Sequence, residues 1–289
     1  MAGGVVVRGD RGVIEVGGPE AARFLHGLVT ATVKSLAPGA ASFGALLTPQ
    51  GKILFDFFLV KTDDGFLIEI ARASIPDFLK RLTFYRLRAA VTLADRSADF
   101  TVAYTFGDAA VPAGGLAFAD PRLPGLATHV LAPAGTSSPA ATASLHDWHA
   151  HRIALGVPES GLDFPLGDTF PHDADMDDLA GVDFKKGCFI GQEVVSRMKH
   201  RGTARKRIIV ARALEARPAW PDAGTEITCG EKILGTLGSS ADGLALALVR
   251  LDRAKEAIDM GDAIEVGGVT VALELPEFAT FGWPETAEG

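Results

Sequence analysis

The chain has 289 residues, 47% of them hydrophobic and 22% charged, with 33 glycines and 16 prolines. That is the make-up of a packed protein with room for one large or two modest domains, not of a disordered chain. The net charge of −8 excludes a general polyanion binder, and no apolar run approaches the ~18 residues a membrane-spanning helix needs. Nucleic acid and membrane are therefore not expected partners.

Val5-Val6-Val7 is strand-like almost from the start, and no leader is expected before it. Val13-Ile14-Glu15-Val16 reads as the next strand, broken by Gly17-Gly18. Pro19 suits a first helical turn, and Leu25, Leu28 and Val29 carry an apolar helical face to about Val33. Residues 44–47 and 53–60 read as paired strands turned by Thr48-Pro49-Gln50-Gly51, with a third strand at 66–70. Ser74 is an N-cap candidate with Asp77 three residues on, and Ile75, Phe78, Leu79 and Leu82 share a helix face. Another strand starts at Val91-Thr92-Leu93. Residues 107–142 are rich in Ala, Gly and Pro and read as loops around short strands such as 100–106 and 128–131, loosest at Thr136-Ser137-Ser138-Pro139. A helix is expected from about Ala141 to Leu155, ended by Gly156 and Pro158.

From Arg207 onward, short strands separated by glycines dominate, at 208–211, 226–229, 233–237, 244–249, 263–266 and 269–273. Gly267-Gly268 is a two-residue hairpin turn. This pattern predicts a small antiparallel barrel. The Arg/Lys cluster near 203–206 marks the boundary, giving domains at 1–203 (with room for two subdomains) and 204–282, then a tail at 283–289.

The two cysteines, Cys188 and Cys229, are far apart and form no Cys-x-x-Cys pair. Thiolates of this chain alone therefore build neither a zinc site nor an iron–sulfur cluster, and no bound metal is expected. Lys185 and Lys186 precede Cys188, glycines stand at 187 and 191, and helical spacing begins after Gly191. A thiol on a tight loop that feeds a helix N-terminus meets unpaired N–H groups and positive charge. That setting favours thiolate and suits an anionic or acceptor-rich ligand. A buried, inert cysteine between turn glycines fits the same spacing, because free cysteines mostly pack as small hydrophobes.

Lys186-Gly187-Cys188-Phe189-Ile190-Gly191-Gln192-Glu193 resembles the K-G-C-Y-x-G-Q-E signature of the folate-binding YgfZ family, relatives of the aminomethyltransferase (T-protein) of the glycine cleavage system. Weaker blocks in the family's order extend the likeness over nearly the whole chain, among them Phe24-Leu25-His26-Gly27, Leu47-Thr48-Pro49-Gln50-Gly51-Lys52, Tyr85-Arg86-Leu87-Arg88 and Arg152-Ile153-Ala154-Leu155-Gly156. The signature tyrosine is Phe189 here, which keeps the aromatic face and loses the hydroxyl.

The resemblance implies an α+β, T-protein-like folate-binding fold with a C-terminal antiparallel β-barrel. It implies a cytoplasmic accessory protein for iron–sulfur cluster assembly or repair that binds tetrahydrofolate or a derivative. Its partners would be folate and iron–sulfur enzymes or assembly proteins. Cys188 would be the functional thiol and Lys186 would hold ligand or depress the thiol. Gly187, Phe189, Gly191, Gln192, Glu193, Arg197, Arg88, Asp56, His172 and Asp173 would surround the ligand.

The alternative is a folate-dependent aminomethyl or one-carbon transferase. T-proteins carry an acid pair on a Gly-Gly-x-x-Asp-Asp run, whereas this chain has Phe55 before Asp56. Losing half the pair weakens that reading, since transfer needs a placed carboxylate. A non-catalytic binding factor is expected instead. His146, His149 and His151 do not make a metal site on a helix, because only the first two share a face. The acidic segment 170–178 reads either as a solvated loop or as a wall of the same cavity.

Overall fold

The computed structural model describes residues 3–135, 139–202, 204–216 and 218–284. The stretch Thr136-Ser137-Ser138 and the end of the expected tail lie outside the described residues. The chain forms two compact units, Met1–Leu145 with Leu179–Val194, and His146–Asp178 with Val195–Gly289.

The first unit contains, in chain order, β1 (Gly4–Val7), β2 (Arg11–Gly17), α1 (Ala21–His26), β3 (Ala41–Leu47), β4 (Ile53–Lys61), β5 (Gly65–Ala71), α2 (Ile75–Arg86), β6 (Thr92–Asp95), β7 (Phe100–Phe106), β8 (Leu116–Ala119) and β9 (Thr128–Pro133). They make a five-stranded sheet, β3-β4-β5-β2-β6, and a four-stranded sheet, β1-β7-β9-β8. Alternation along β4 decides which side chain goes where. Phe55 and Phe57 each meet the α2 residue Phe78 at 5.2 Å between ring centroids. On the other face Phe58 meets the ring of His129 at 4.4 Å.

That second face holds a fully buried polar cluster. His129 Nδ1 lies 2.8 Å from Glu69 Oε2 and Nε2 lies 3.0 Å from Asp120 Oδ2. Arg11 and the Tyr104 hydroxyl donate to Glu69, and Arg122 pairs with Asp120 at 2.8 Å. Burial alone would raise Glu69, but His129 and Arg11 overcome it and hold the carboxyl down at about 2. Asp120 is likewise held low against its burial, by Arg122 and His129. The two carboxylates raise His129 above its ordinary value although burial opposes it. An imidazolium thus ties the two sheets through fully buried carboxylates.

The helix expected to reach Val33 stops at His26. Beyond Gly27 the run Val29-Thr30-Ala31-Thr32-Val33 is mostly β-branched, and such side chains lose rotamer freedom in a helix. Val29 instead bridges Leu46, and the Thr30 amide bonds to the Ala45 carbonyl at 2.9 Å. Ser74 does precede α2, but its side chain makes no capping bond. A short 3-10 turn leads in instead and puts Ser74 at ψ −12°, not in the extended conformation a cap uses.

The second unit begins, from His146 onward, with α3 (Leu145–Ala154) and its following turns. It takes most of α4 (Gln192–Arg201) and then β10 (Lys206–Ala213), β11 (Glu226–Cys229), β12 (Lys232–Ala241), β13 (Leu244–Arg250), α5 (Leu251–Met260), β14 (Ile264–Val266) and β15 (Val269–Glu274). The six strands close into an antiparallel barrel, as the glycine-punctuated pattern predicts. Gly267 and Gly268 both have positive φ, 54° and 89°, which a two-residue primed hairpin requires.

The helix α5 was not anticipated. Arg152 is wholly buried in this unit, bonded to the Val157 carbonyl, Asp163 and the Ser239 hydroxyl. His149 Nδ1 accepts from Arg152 Nε at 2.9 Å, so that histidine serves packing.

Candidate functional site

The cysteine loop is built in the first unit from residues far apart in sequence. Asp183 is its anchor: Oδ1 accepts from the Lys185 and Lys186 amides at 2.9 and 3.1 Å, and Oδ2 accepts from the Thr32 hydroxyl at 2.8 Å. Burial opposes its charge, yet these donors hold Asp183 below the usual carboxylate range. The Lys186 ammonium turns inward and donates to the carbonyls of Val29 and Ala31, the second at 2.8 Å. Burial pushes Lys186 down to about 8, only partly offset by Asp183. Lys186 is thus a strut of the loop. The carbonyls it meets belong to the segment that follows α1.

Phe189 is buried and lies 5.7 Å from the Lys186 ammonium, ring face toward the charge. The Ile190 amide reaches the Leu28 carbonyl at 3.4 Å. Gly191 has φ +79°, and a Cβ there would come within 2.7 Å of the Thr48 carbonyl and 2.9 Å of Gly51 Cα. This close backbone approach locks the Thr48–Gly51 turn against the loop. The result is an exposed Cys188 on a loop tied at both ends, just before Gln192 opens α4. Cys229 is also a free thiol, so no disulfide consumes Cys188.

One residue at this loop escaped the sequence reading as a site residue. His26, the last residue of α1, has a buried Nδ1 with no hydrogen-bond partner among the described residues. A Cβ on Gly187 would lie 3.5 Å from its Nε2. Burial first, then Lys186 and Lys34, hold its pKa below the ordinary value and keep the ring neutral. Its place inside the Phe24-Leu25-His26-Gly27 block was the available signal.

The other expected residues distribute as follows. Glu193 is exposed and Gln192 half-buried in the first turn of α4. Asp56 sits on β4 opposite Ala45, on the same face as Phe58 and within electrostatic reach of Arg11. Phe55, in the place of the missing acid, is packing surface for Phe78. Arg88 is exposed and lines a hollow of about 410 Å³ with Tyr85 and Arg23, to which no residue of 186–193 contributes. Arg197, His172 and Asp173 belong to the second unit.

His172 is buried there and lines a cleft. Asp173 caps its own turn through the Phe170 amide at 3.4 Å and does not line that cleft. The solvated-loop reading of 170–178 is corrected: His172 and Asp175 are at most 1% exposed. The cause is Arg207 on β10, whose guanidinium bonds the His172 carbonyl and clamps both oxygens of Asp177 at 2.6 and 3.1 Å.

This architecture defines a class. The described structure aligns with the glycine cleavage system aminomethyltransferase T from Bartonella henselae at TM-score 0.72, covering 96% of this chain and 86% of that chain at 14% identity. The shared feature is the fold. Residues 205–281 match the C-terminal beta-barrel domain of CAF17.

Among individual proteins, the chain is similar to the mitochondrial iron–sulfur cluster assembly factor IBA57 homolog of Mycosarcoma maydis, 36% identical, with 69% of this chain aligned to 54% of the relative. The Neurospora crassa homolog is 30% identical, over 69% of this chain and 51% of its own. Human IBA57 is 29% identical, over 96% of this chain and 85% of its own. The chain spans about half the length of the first two relatives. All three are named as mitochondrial proteins, which corrects the expectation of a cytoplasmic one.

Proposed function

We propose that the protein is an iron–sulfur cluster assembly factor of the YgfZ-like kind, in which Cys188 is the working thiol and tetrahydrofolate or a derivative is a ligand. The observation that carries this reading is the exposed Cys188 on a loop that Asp183, Lys186 and Gly191 hold in one shape. A thiol that only filled space would be buried. A preset loop spends little entropy in meeting a cluster or an acceptor protein.

The first unit also offers features that fit a folate. His26 Nδ1 is a buried polar atom without a partner among the described residues, beside Gly187. Glu193 and Gln192 would accept from the pterin edge, and Arg88 would meet the glutamate tail. When bound, the folate would bring a one-carbon carrier. Aminomethyl transfer draws no support, because Phe55 occupies the first acid's place and is committed to packing on Phe78.

The relatives' names supply the iron–sulfur role proposed here, and their compartment replaces the cytoplasm. In a strain lacking the natural factor, Cys188→Ala is expected to abolish rescue of iron–sulfur enzyme activity while the purified variant melts normally. Full rescue by that variant would remove the thiol from the proposal. A calorimetric titration with folinic acid tests the ligand separately.

A further inference from the structure

The C-terminal end of α2, in the first unit, combines three features that folding does not require. Leu87 and Phe84, 87% and 71% exposed, are the most exposed large apolar side chains among the described residues. Tyr85 holds the Phe84 ring edge-on at 5.5 Å between centroids. Leu87 ends the helix at φ 49° and ψ −108°, in the mirror-image β region that only glycine adopts freely. A leucine there gains nothing from packing and strains the backbone. Such residues gather where a function uses them.

The third feature is charge. Arg86, Leu87 and Arg88 line the hollow of about 410 Å³ together with Arg23 and Phe24 of α1. Lys80 and Arg81 lie one turn before Phe84 on the same side of α2. The guanidinium groups of Arg23, Arg81, Arg86 and Arg88 meet no hydrogen-bond or ion-pair partner among the described residues. One acid lines the hollow, Glu20, and its Oε2 accepts from the Ala90 amide at 2.8 Å. Asp77 stands in the first turn of α2, about 15 Å along the axis from Leu87. Asp63 and Asp64 precede Gly65, two strands and so about 10 Å from Thr92, with Lys61 bonded into the same turn. Positive charge therefore exceeds negative at this end of α2, although the whole chain carries −8.

We propose that the C-terminal end of α2 docks a partner protein through an acidic surface segment with one apolar anchor. The anchor lies against Phe84 and Leu87, and the carboxylates meet Arg23, Arg81 and Arg86. Arginine suits this occupant because its fork pairs both oxygens of a carboxylate. An apolar centre with a charged rim is the ordinary anatomy of a protein interface, whereas a membrane surface calls for a longer apolar face. Arg23 and His26 are one turn apart on α1, and His26 stands beside Gly187, so the partner sits next to the cysteine loop. Docking needs neither the Cys188 thiol nor a folate, so it fails or stands separately from both.

A short fluorescent helical peptide, with one leucine flanked by aspartates and glutamates, probes the full chain by anisotropy. Saturable binding is expected, weakened by added salt. Leu87→Gly is expected to weaken it roughly tenfold through the lost apolar contact. Glycine accepts the same backbone conformation, so that variant keeps the wild-type melting temperature and its weaker binding is not unfolding. Arg23→Glu, at an exposed position, is expected to weaken binding at least as much. The proposal is overturned by any of four results: no saturable binding, affinity indifferent to both variants, equal affinity for a peptide with serine in place of the leucine, or displacement of the peptide by anionic phospholipid vesicles or a single-stranded oligonucleotide at lower concentration than by unlabelled peptide.

Discussion

Two residues show how the cysteine loop is held, and each predicts a measurement. Gly191 sits at φ +79° with the Thr48 carbonyl where a side chain would begin. Gly191→Ala is expected to cost about 1–3 kcal/mol in chemical denaturation, from left-handed strain and the clash together. A cost near zero would mean the two turns do not touch. Lys186→Met removes the donor for the Val29 and Ala31 carbonyls. An expected loss of about 1–3 kcal/mol follows from leaving buried acceptors unsatisfied. A lysine serving only a ligand would leave stability unchanged and move ligand affinity alone. The loop itself was legible because glycines and the signature sit side by side. The role of Lys186 was not, because its acceptors are 157 and 155 residues away.

At the scale of elements, the cluster between the two sheets of the first unit makes stability depend on pH in a defined direction. Glu69 falls from an ordinary 4.5 to about 2 in the folded state. Its contribution is present above pH ~4.5 and is lost as pH falls toward 2. Asp120 acts the same way, from an ordinary 3.8 downward. His129 is raised above 6.5. Its contribution is complete below that value and is lost as pH rises through the folded pKa. Tyr104 stays a neutral donor because burial, first of all, raises it.

The stability advantage of wild type over His129→Gln is therefore expected to peak between about pH 4.5 and 6.5 and to shrink on either side, by urea midpoints across the range. A constant difference from pH 4 to 9 would deny the imidazolium.

None of this cluster was visible in the sequence, because Arg11, Glu69, Tyr104, Asp120 and His129 each look like an isolated polar residue on its own strand or turn. The strands themselves were legible wherever apolar alternation or β-branched runs met a glycine turn, as in β4 and β14–β15. The helix α5 was hidden by reading everything after Arg207 as barrel. Its signs were present: Leu251, Ala254 and Ala257 are buried at helical spacing, Lys255 pairs with Asp259 one turn on, and Gly261 ends it in the left-handed conformation.

At the scale of the whole molecule, the chain passes from one compact unit to the other three times, at residues 145/146, 178/179 and 194/195. Composition changes only near residue 204, where the barrel begins, and so cannot show that 146–178 packs with the barrel. The buried ties are Arg207 to Asp177, Asp163 to the Ser239 amide and hydroxyl, and Arg152 to Ser239. A fragment of residues 1–203 is therefore expected to leave 146–178 unfolded, with protease cleavage concentrated there and helical signal from α3 lost. A fragment that protects this stretch as the full chain does would show that the barrel is not its support.

The ammonium of Lys186 also sets a clock on synthesis. The carbonyls of Val29 and Ala31 leave the ribosome long before their donor is made. At roughly 5–20 residues per second the delay is about 8–30 seconds. During that interval the segment after His26 has its acceptors open to whatever passes, and a chaperone that shields it has that long to act.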